Sequence, residues 1–192
     1  MKNSHHVLIR CQLPDQVAAA VAGTVAAPAT FYLGASGGGV WKTEDYGTTW
    51  HVVSDGYFDT PSIGDISVAQ NDANIVYVGT GSDGLRSNVI AGKGMYKSID
   101  GGVSWDHIGL TATGHIGAVE IDPTDHNIVW VGTGESNPRN SVSWGNGVYK
   151  STDGGKTWKN MGLNKTFQIG RMAIHSKDPN IVYVGALGRL WG

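Results

Sequence analysis

Cysteine is almost missing from this sequence: Cys11 stands alone among 192 residues. A lone thiol excludes an internal disulfide framework, so cysteine pairing says nothing about compartment. Charge is sparse, with Asp, Glu, Lys and Arg at 16%, and nearly balanced at a formal net charge of −2. No basic stripe exists that would neutralise a row of phosphates, which argues against a nucleic-acid partner. No run of 18 apolar residues occurs, so no segment reads as a membrane-spanning helix. The most apolar early stretch, 17–29, is short, rich in small residues and broken by Pro28. His5, His6, Arg10 and Asp15 spoil the pattern of a cleaved export signal before it. Also absent are a Ser-His-Asp order, a phosphate-cradling glycine loop, zinc-ligand spacing and EF-hand spacing. Neither a cofactor nor a metal is therefore expected.

What is abundant is glycine, at 29 residues, set in short pairs between apolar stretches with no three-residue period. With 40% hydrophobic residues, the chain has material for a core and tight turns between short strands. The turns recur. GVWKTEDYGTTW (39–50), GMYKSIDGGVSW (94–105) and GVYKSTDGGKTW (147–158) align, with their Trp residues 55 and 53 positions apart. IGDISVA (63–69), IGAVEID (116–122) and IGRMAIH (169–175) align at spacings of 53 and 53. So do NIVYVGTG (74–81), NIVWVGTG (127–134) and NIVYVGAL (180–187).

Each unit holds four strand-like runs. In the second they fall at 63–69, 75–79, 94–98 and 104–108, β-branched or aromatic and bounded by Gly, Asn and Asp. Four antiparallel strands in about 40–55 residues make one blade of a β-propeller. A blade has two apolar faces and needs neighbours to cover them. The expected architecture is all-β, a partial propeller with blades at about 17–53, 63–108, 116–161 and an incomplete one at 169–192. Residues 1–16 are expected to be unstructured or non-native. The last unit stops before its third strand, so the chain reads as a fragment, with self-association through the incomplete edge as the alternative.

The motif [ST]-x-D-x-G-x-[ST]-W occurs at Thr43–Trp50, Ser98–Trp105 and Ser151–Trp158. Asp45, Asp100 and Asp153 are placed to accept backbone N–H groups of their own turn. Gly47, Gly102 and Gly155 supply positive φ, and Trp50, Trp105 and Trp158 pack under the hairpin. Three carboxylates invite a catalytic reading. Repetition favours turn clasps, because catalysis needs one constellation rather than a copy per blade.

Antiparallel order puts the strand 1–2 turn and the Asp turn on one rim. The strand 2–3 loop and the connector between blades share the other. The long loops 79–94 and 132–147 lie there, where the first unit has a short turn at 34–39. Long polar loops on a rigid scaffold are the default binding site. Candidates are Asp83, Arg86, Asn88, Glu135, Asn137, Arg139, Asn140 and Trp144, with Tyr57, Phe58 and Asp59 from the connector 54–62. Aromatic faces beside amides, carboxylates and Arg suit glycan or peptide binding, although the loops equally well pack on one another. Asp65 and Arg171 occupy the same repeat position in first strands, where the third unit has Ala118. They read as charges at a channel mouth, a structural ion pair, or residues lying apart. A glycosidase needs two carboxylates at a set separation. Asp65, Asp83 and Glu135 are available and nothing in their spacing selects a pair, so Asp65 and Glu135 remain weak catalytic candidates. The seven histidines are scattered and read as surface residues.

The Asp turns resemble those of bacterial neuraminidase repeats, the BNR or Asp-box repeats. The longer stretches GGGVWKTEDYGTTW (37–50), NIVWVGTGESNPRNSVSWGNGVYKSTDGGKTW (127–158) and VGALGRLWG (184–192) resemble bacterial sortilin-type propellers of the "glycosyl hydrolase, BNR repeat" kind. The resemblance covers roughly 17–192. It implies a long exported parent of about ten blades, secreted or periplasmic. The function it leads to is a non-catalytic scaffold binding peptide or glycan on the long-loop rim; the alternative is part of a glycoside hydrolase acting on polysaccharide. The Arg cluster and Tyr nucleophile that a sialidase needs are not recognisable here.

Overall fold

The computed structural model describes residues 18–81, 90–136 and 143–188. The first segment, 1–16, and the loop candidates Asp83, Arg86, Asn88, Asn137, Arg139 and Asn140 lie outside the described residues.

Among the described residues there is no α-helix, and the strands form consecutive antiparallel sheets. The first sheet runs β1 (Ala18–Gly23), β2 (Phe31–Ala35), β3 (Val40–Thr43) and β4 (His51–Val52). The second runs β5 (Ile63–Val68), β6 (Val76–Thr80), β7 (Met95–Ser98) and β8 (Asp106–His107). The third runs β9 (Ile116–Ile121), β10 (Val129–Thr133), β11 (Val148–Ser151) and β12 (Lys159–Gly162). A two-stranded sheet follows, β13 (Ile169–Ile174) and β14 (Val182–Ala186). Every strand pairs with its sequence neighbour, so each sheet is a meander. The first strands β1, β5, β9 and β13 lie side by side. The chain is thus a run of propeller blades.

The Ile-Gly pairs have a steric cause. A Cβ on Gly64 would sit 2.0 Å from the Ile116 carbonyl oxygen, and one on Gly117 would sit 2.5 Å from that of Ile169. The inner strand of one blade thus runs against the backbone of the next, and only glycine lets it. The ladder slips by one residue at the same place in β5 (Ile63/Asp65) and β13 (Ile169/Arg171). Such a bulge bends the strand and re-aims the side chain that follows.

The core lies between sheets. Tyr32, Ile63, Ile66, Val76, Val78, Tyr96 and Trp105 fill the first seam, with Phe58 stacked on Tyr96 at a centroid distance of 4.2 Å. Tyr77, Met95, Ile116, Val119, Val129 and Val131 fill the second. Ala118, Val148, Ile169 and Met172 fill the third. Each fully buried large side chain contributes roughly 1.5–3 kcal/mol relative to exposure.

Polar stitches cross the same seams. Tyr32 donates its hydroxyl to the Gly101 carbonyl in the next Asp turn at 2.8 Å, and Tyr77 to His126 at 3.0 Å. Burial pushes both phenols up from their ordinary range. The tryptophans differ from the expectation that each packs under its own hairpin. Trp105 donates its indole N–H to Val53 of the preceding blade at 2.8 Å, and Trp158 to Ile108 of its preceding blade at 2.6 Å. Trp50, in the first sheet, donates within its own turn to Gly47 at 3.1 Å. One histidine also departs from the surface expectation. His115 is 2% exposed, because its backbone holds the connector: its N–H donates to Thr113 and its carbonyl accepts from Gly134.

Candidate functional site

The three Asp turns are built alike. Asp45, Asp100 and Asp153 each accept the N–H of the residue four positions on (Thr49, Ser104, Thr157) at 2.9 Å. Each accepts the hydroxyl of that same residue at 2.7, 2.6 and 2.5 Å. Each also accepts from Thr43, Ser98 or Ser151 at 2.8 Å. Those hydroxyls in turn accept the N–H of Gly47, Gly102 and Gly155. The three glycines sit at φ of 87°, 90° and 92°. Donors so placed favour the ionised form, and hydrogen bonds, chiefly from Thr49, Ser104 and Thr157, hold all three carboxyls down at about 2. Three turn donors occupy most of the lone-pair sites of each carboxylate and tie it to its own turn. These residues are clasps.

The opposite rim is less uniform. Thr80 and Thr133, at the ends of β6 and β10, close the roots of the two long loops. Each donates its hydroxyl to the carbonyl of the glycine before the third strand, Gly94 or Gly147, at 2.7 and 2.8 Å. Glu135 does not face a ligand as expected of a rim carboxylate. It is wholly buried, and its Oε2 accepts the Ser143 N–H at 3.1 Å, pinning the two ends of the 132–147 loop together. Trp144, just beyond, is 68% exposed, and its ring leans on Phe167 at a centroid distance of 5.3 Å. Phe167 comes from the connector to the following blade, at φ 62°. Two aromatic rings from different segments thus form a platform open to solvent.

Asp65 and Arg171 share a repeat position and have separate surroundings. Asp65 reaches across the seam, its Oδ2 accepting the Val119 N–H of β9 at 2.7 Å and its Oδ1 the Ile66 N–H at 2.9 Å. Arg171, on β13, donates to the Gly170 carbonyl at 2.9 Å. Beside Asp65 lies a residue the sequence reading missed. The Glu120 carboxyl of β9 is pushed up to about 7, first by burial and then by the negative charge of Asp65. Its signal was a Glu in a first strand at the position of Ser67 and Ala173. The structure therefore brings Asp65 together with Glu120. Asp65, engaged by two backbone N–H groups, and Glu120, whose carboxyl retains its proton toward neutral pH, are the two carboxyls a catalytic reading would have to use.

Tyr57 lies apart from Trp144. It lines a cleft between the first and second blades with Lys42, Glu44, His51, Asp55 and Gly102. Among the described residues no three His, Cys, Asp or Glu side chains converge as metal ligands, and no helix is long and apolar enough to cross a membrane.

No family model matches the chain. A curated relative, a xyloglucanase of Paenibacillus sp., is 24% identical over 182 residues, covering 83% of this chain and 17% of the relative. An ancestral GH74 enzyme superposes with a TM-score of 0.68 at 18% identity, over 88% of this chain and 21% of that one. A GH74 enzyme from Niastella koreensis gives 0.63 at 24% identity, over 88% and 26%. The chain thus spans about a fifth of the length of these proteins, and at these identities the structural likeness establishes the propeller fold.

Proposed function

We propose that this chain is a segment of a polysaccharide-acting propeller protein of the glycoside hydrolase kind, and that it supplies part of the glycan-binding rim. The observation that carries this reading is the exposed indole of Trp144 propped by Phe167 above a loop whose root is pinned by Glu135. An exposed aromatic face on a polar rim offers a sugar ring a stacking surface. The xyloglucanase relative supports glucan as the ligand class. Asp83, Arg86, Asn137 and Arg139 of the two long loops are proposed as polar contacts from the sequence alone. We read the three clasps as BNR-type Asp boxes, structural rather than catalytic.

A second reading, a non-catalytic glycan-binding scaffold, is favoured by Glu135 and Asp65 being engaged by backbone N–H groups. The two readings part on Glu120. Xyloglucan affinity electrophoresis of the chain, wild type against Trp144→Ala, tests the binding rim; unchanged retardation in the variant would defeat it. Reducing-sugar release from xyloglucan by the longest available protein, wild type against Asp65→Asn and Glu120→Gln, separates the readings. Release lost in both variants supports the hydrolase. Binding without any release leaves the scaffold.

A further inference from the structure

The three repeats act as controls for one another, and the first seam breaks their pattern on one side. In the second seam, Lys97 lies over Tyr77 and donates to the Gly154 carbonyl of the next Asp turn at 3.1 Å. Lys42, its counterpart in the first sheet, likewise lies over its tyrosine, Tyr32, at 5.9 Å, but pairs with Glu44 at 2.9 Å. Where the first unit has Glu44, the other two have Ile99 and Thr152; where it has His51, they have Asp106 and Lys159. The connectors differ as well. After the second and third blades they wind into short 3₁₀ turns at Thr111–Thr113 and Asn164–Thr166. After the first blade, the connector instead carries Asp55 and Tyr57 outward.

The result is a cleft of about 460 Å³ beside β4 and the second Asp turn. That volume lies within the roughly 300–1,000 Å³ of small-ligand sites. The fold does not require its lining, because the sister blades form without it. Nor is the lining consumed internally: the side chains of His51, Asp55 and Tyr57 make no hydrogen bond to another described residue. Elsewhere the polar side chains of the turns are largely bound to their own backbone.

The lining selects the ligand. Lys42 is already neutralised by Glu44, and Asp55 adds a negative charge, so nothing favours an anion. An extended peptide would need a strand edge to pair with, and β4 is two residues long. What remains is a half-exposed Tyr57 ring with a carboxylate and an imidazole beside it to bond hydroxyl groups.

We propose that this cleft is a saccharide subsite for a short stretch of neutral glycan, distinct from the Trp144 platform, with Tyr57 as the stacking surface and His51 and Asp55 as hydroxyl partners. It rests on the polysaccharide reading above and is tested so that the two fail separately. The full chain, labelled with ¹⁵N, is titrated with a xyloglucan oligosaccharide and, in parallel, with cellotetraose. Amide shifts are followed at Val52–Tyr57 and Gly101–Val103 for the cleft, and at Trp144 for the platform. The expected result is saturable shifts in the cleft that weaken about tenfold in Tyr57→Ala, roughly the loss of one stacking contact, persist in Tyr57→Phe, and are untouched by Trp144→Ala. Shifts confined to Trp144 would overturn the cleft and leave the rim reading standing. Cleft shifts indifferent to both Tyr57→Ala and His51→Ala would also overturn it. Cleft shifts produced by an unstructured peptide pool and not by either saccharide would replace the glycan with a peptide partner. No shift anywhere with either saccharide would defeat both proposals.

Discussion

At the Asp-turn rim, Asp45, Asp100 and Asp153 hold equivalent donors at distances that agree within 0.2 Å. At the opposite rim the copies diverge: a short turn in the first blade, long loops in the second and third, and connectors of different conformation. The same meander produces both ends, so the difference lies in what each end must do. The turn rim repeats its stitch from blade to blade, Tyr32 to Gly101 and Tyr77 to His126. The loop rim is left to vary, and a tryptophan placed at each end exposes the contrast. Trp105 is 6% exposed and donates into the preceding blade. Trp105→Ala removes a packed ring and leaves the Val53 carbonyl without its donor, and is expected to cost about 3–5 kcal/mol. Trp50→Ala, whose ring donates only within its own turn, is expected to cost about 1 kcal/mol. Urea unfolding of the two variants checks the comparison, and equal losses would break it.

The inner strands lie between the rims and offer a second way to strain the seam. Gly64→Ala drives a methyl against the Ile116 and Gly81 carbonyl oxygens, at 2.0 and 2.8 Å. Both are backbone atoms with no rotamer to yield, so the blades must part. A loss of about 3 kcal/mol is expected, at the upper end for overpacking. Gly56→Ala is the matched control. Its Cβ meets nothing within 4 Å, and only its φ of 82° resists substitution. A thermal midpoint for Gly64→Ala no lower than that of Gly56→Ala would show that the seam is softer than its geometry implies.

Much of this was legible in the sequence because each repeated feature is local. The four-strand meander, the Asp clasp and its glycine follow from spacing and turn chemistry within a dozen residues. What crosses a seam was not legible. Nothing in the motif GVYKSTDGGKTW tells that its Trp bonds the blade before it, since a partner 50 residues away leaves no local signature. Glu135 read as a rim carboxylate because its loop is polar, yet it is buried and accepts the Ser143 N–H. Glu120 was overlooked for the converse reason. It sits in a strand with ordinary alternation, and only the neighbouring blade brings Asp65 to it.

That pair makes the two carboxylate environments separable by pH. For Glu120 the folded chain holds the proton more tightly than the unfolded one, whose ordinary value is 4.5. Its contribution to stability is present below about 4.5 and is lost as pH rises through about 7. Glu120→Gln is therefore expected to match wild type at pH 4.5 and to exceed it at pH 8. The gain is on the order of 1 kcal/mol, since partial exposure lets water screen the effect. The clasps run the other way. Their carboxyls, lowered to about 2, stabilise above the ordinary carboxylate range and release as pH falls toward 2. Denaturant midpoints of wild type and Glu120→Gln that stay parallel from pH 4.5 to 8 would remove Glu120 from the account.

The smallest effect on stability is expected where the effect on binding is largest. Trp144 is two-thirds exposed and touches Phe167 at the surface, so Trp144→Ala is expected to shift stability by no more than about 0.5 kcal/mol. Such a ring is available for the binding contact proposed above. The same substitution is therefore expected to weaken xyloglucan retention about tenfold, the loss of one stacked face. Calorimetric unfolding and affinity electrophoresis on one preparation give both numbers. A destabilised variant with unchanged retention would make Trp144 a packing residue and return the loop rim to the same role as the turn rim.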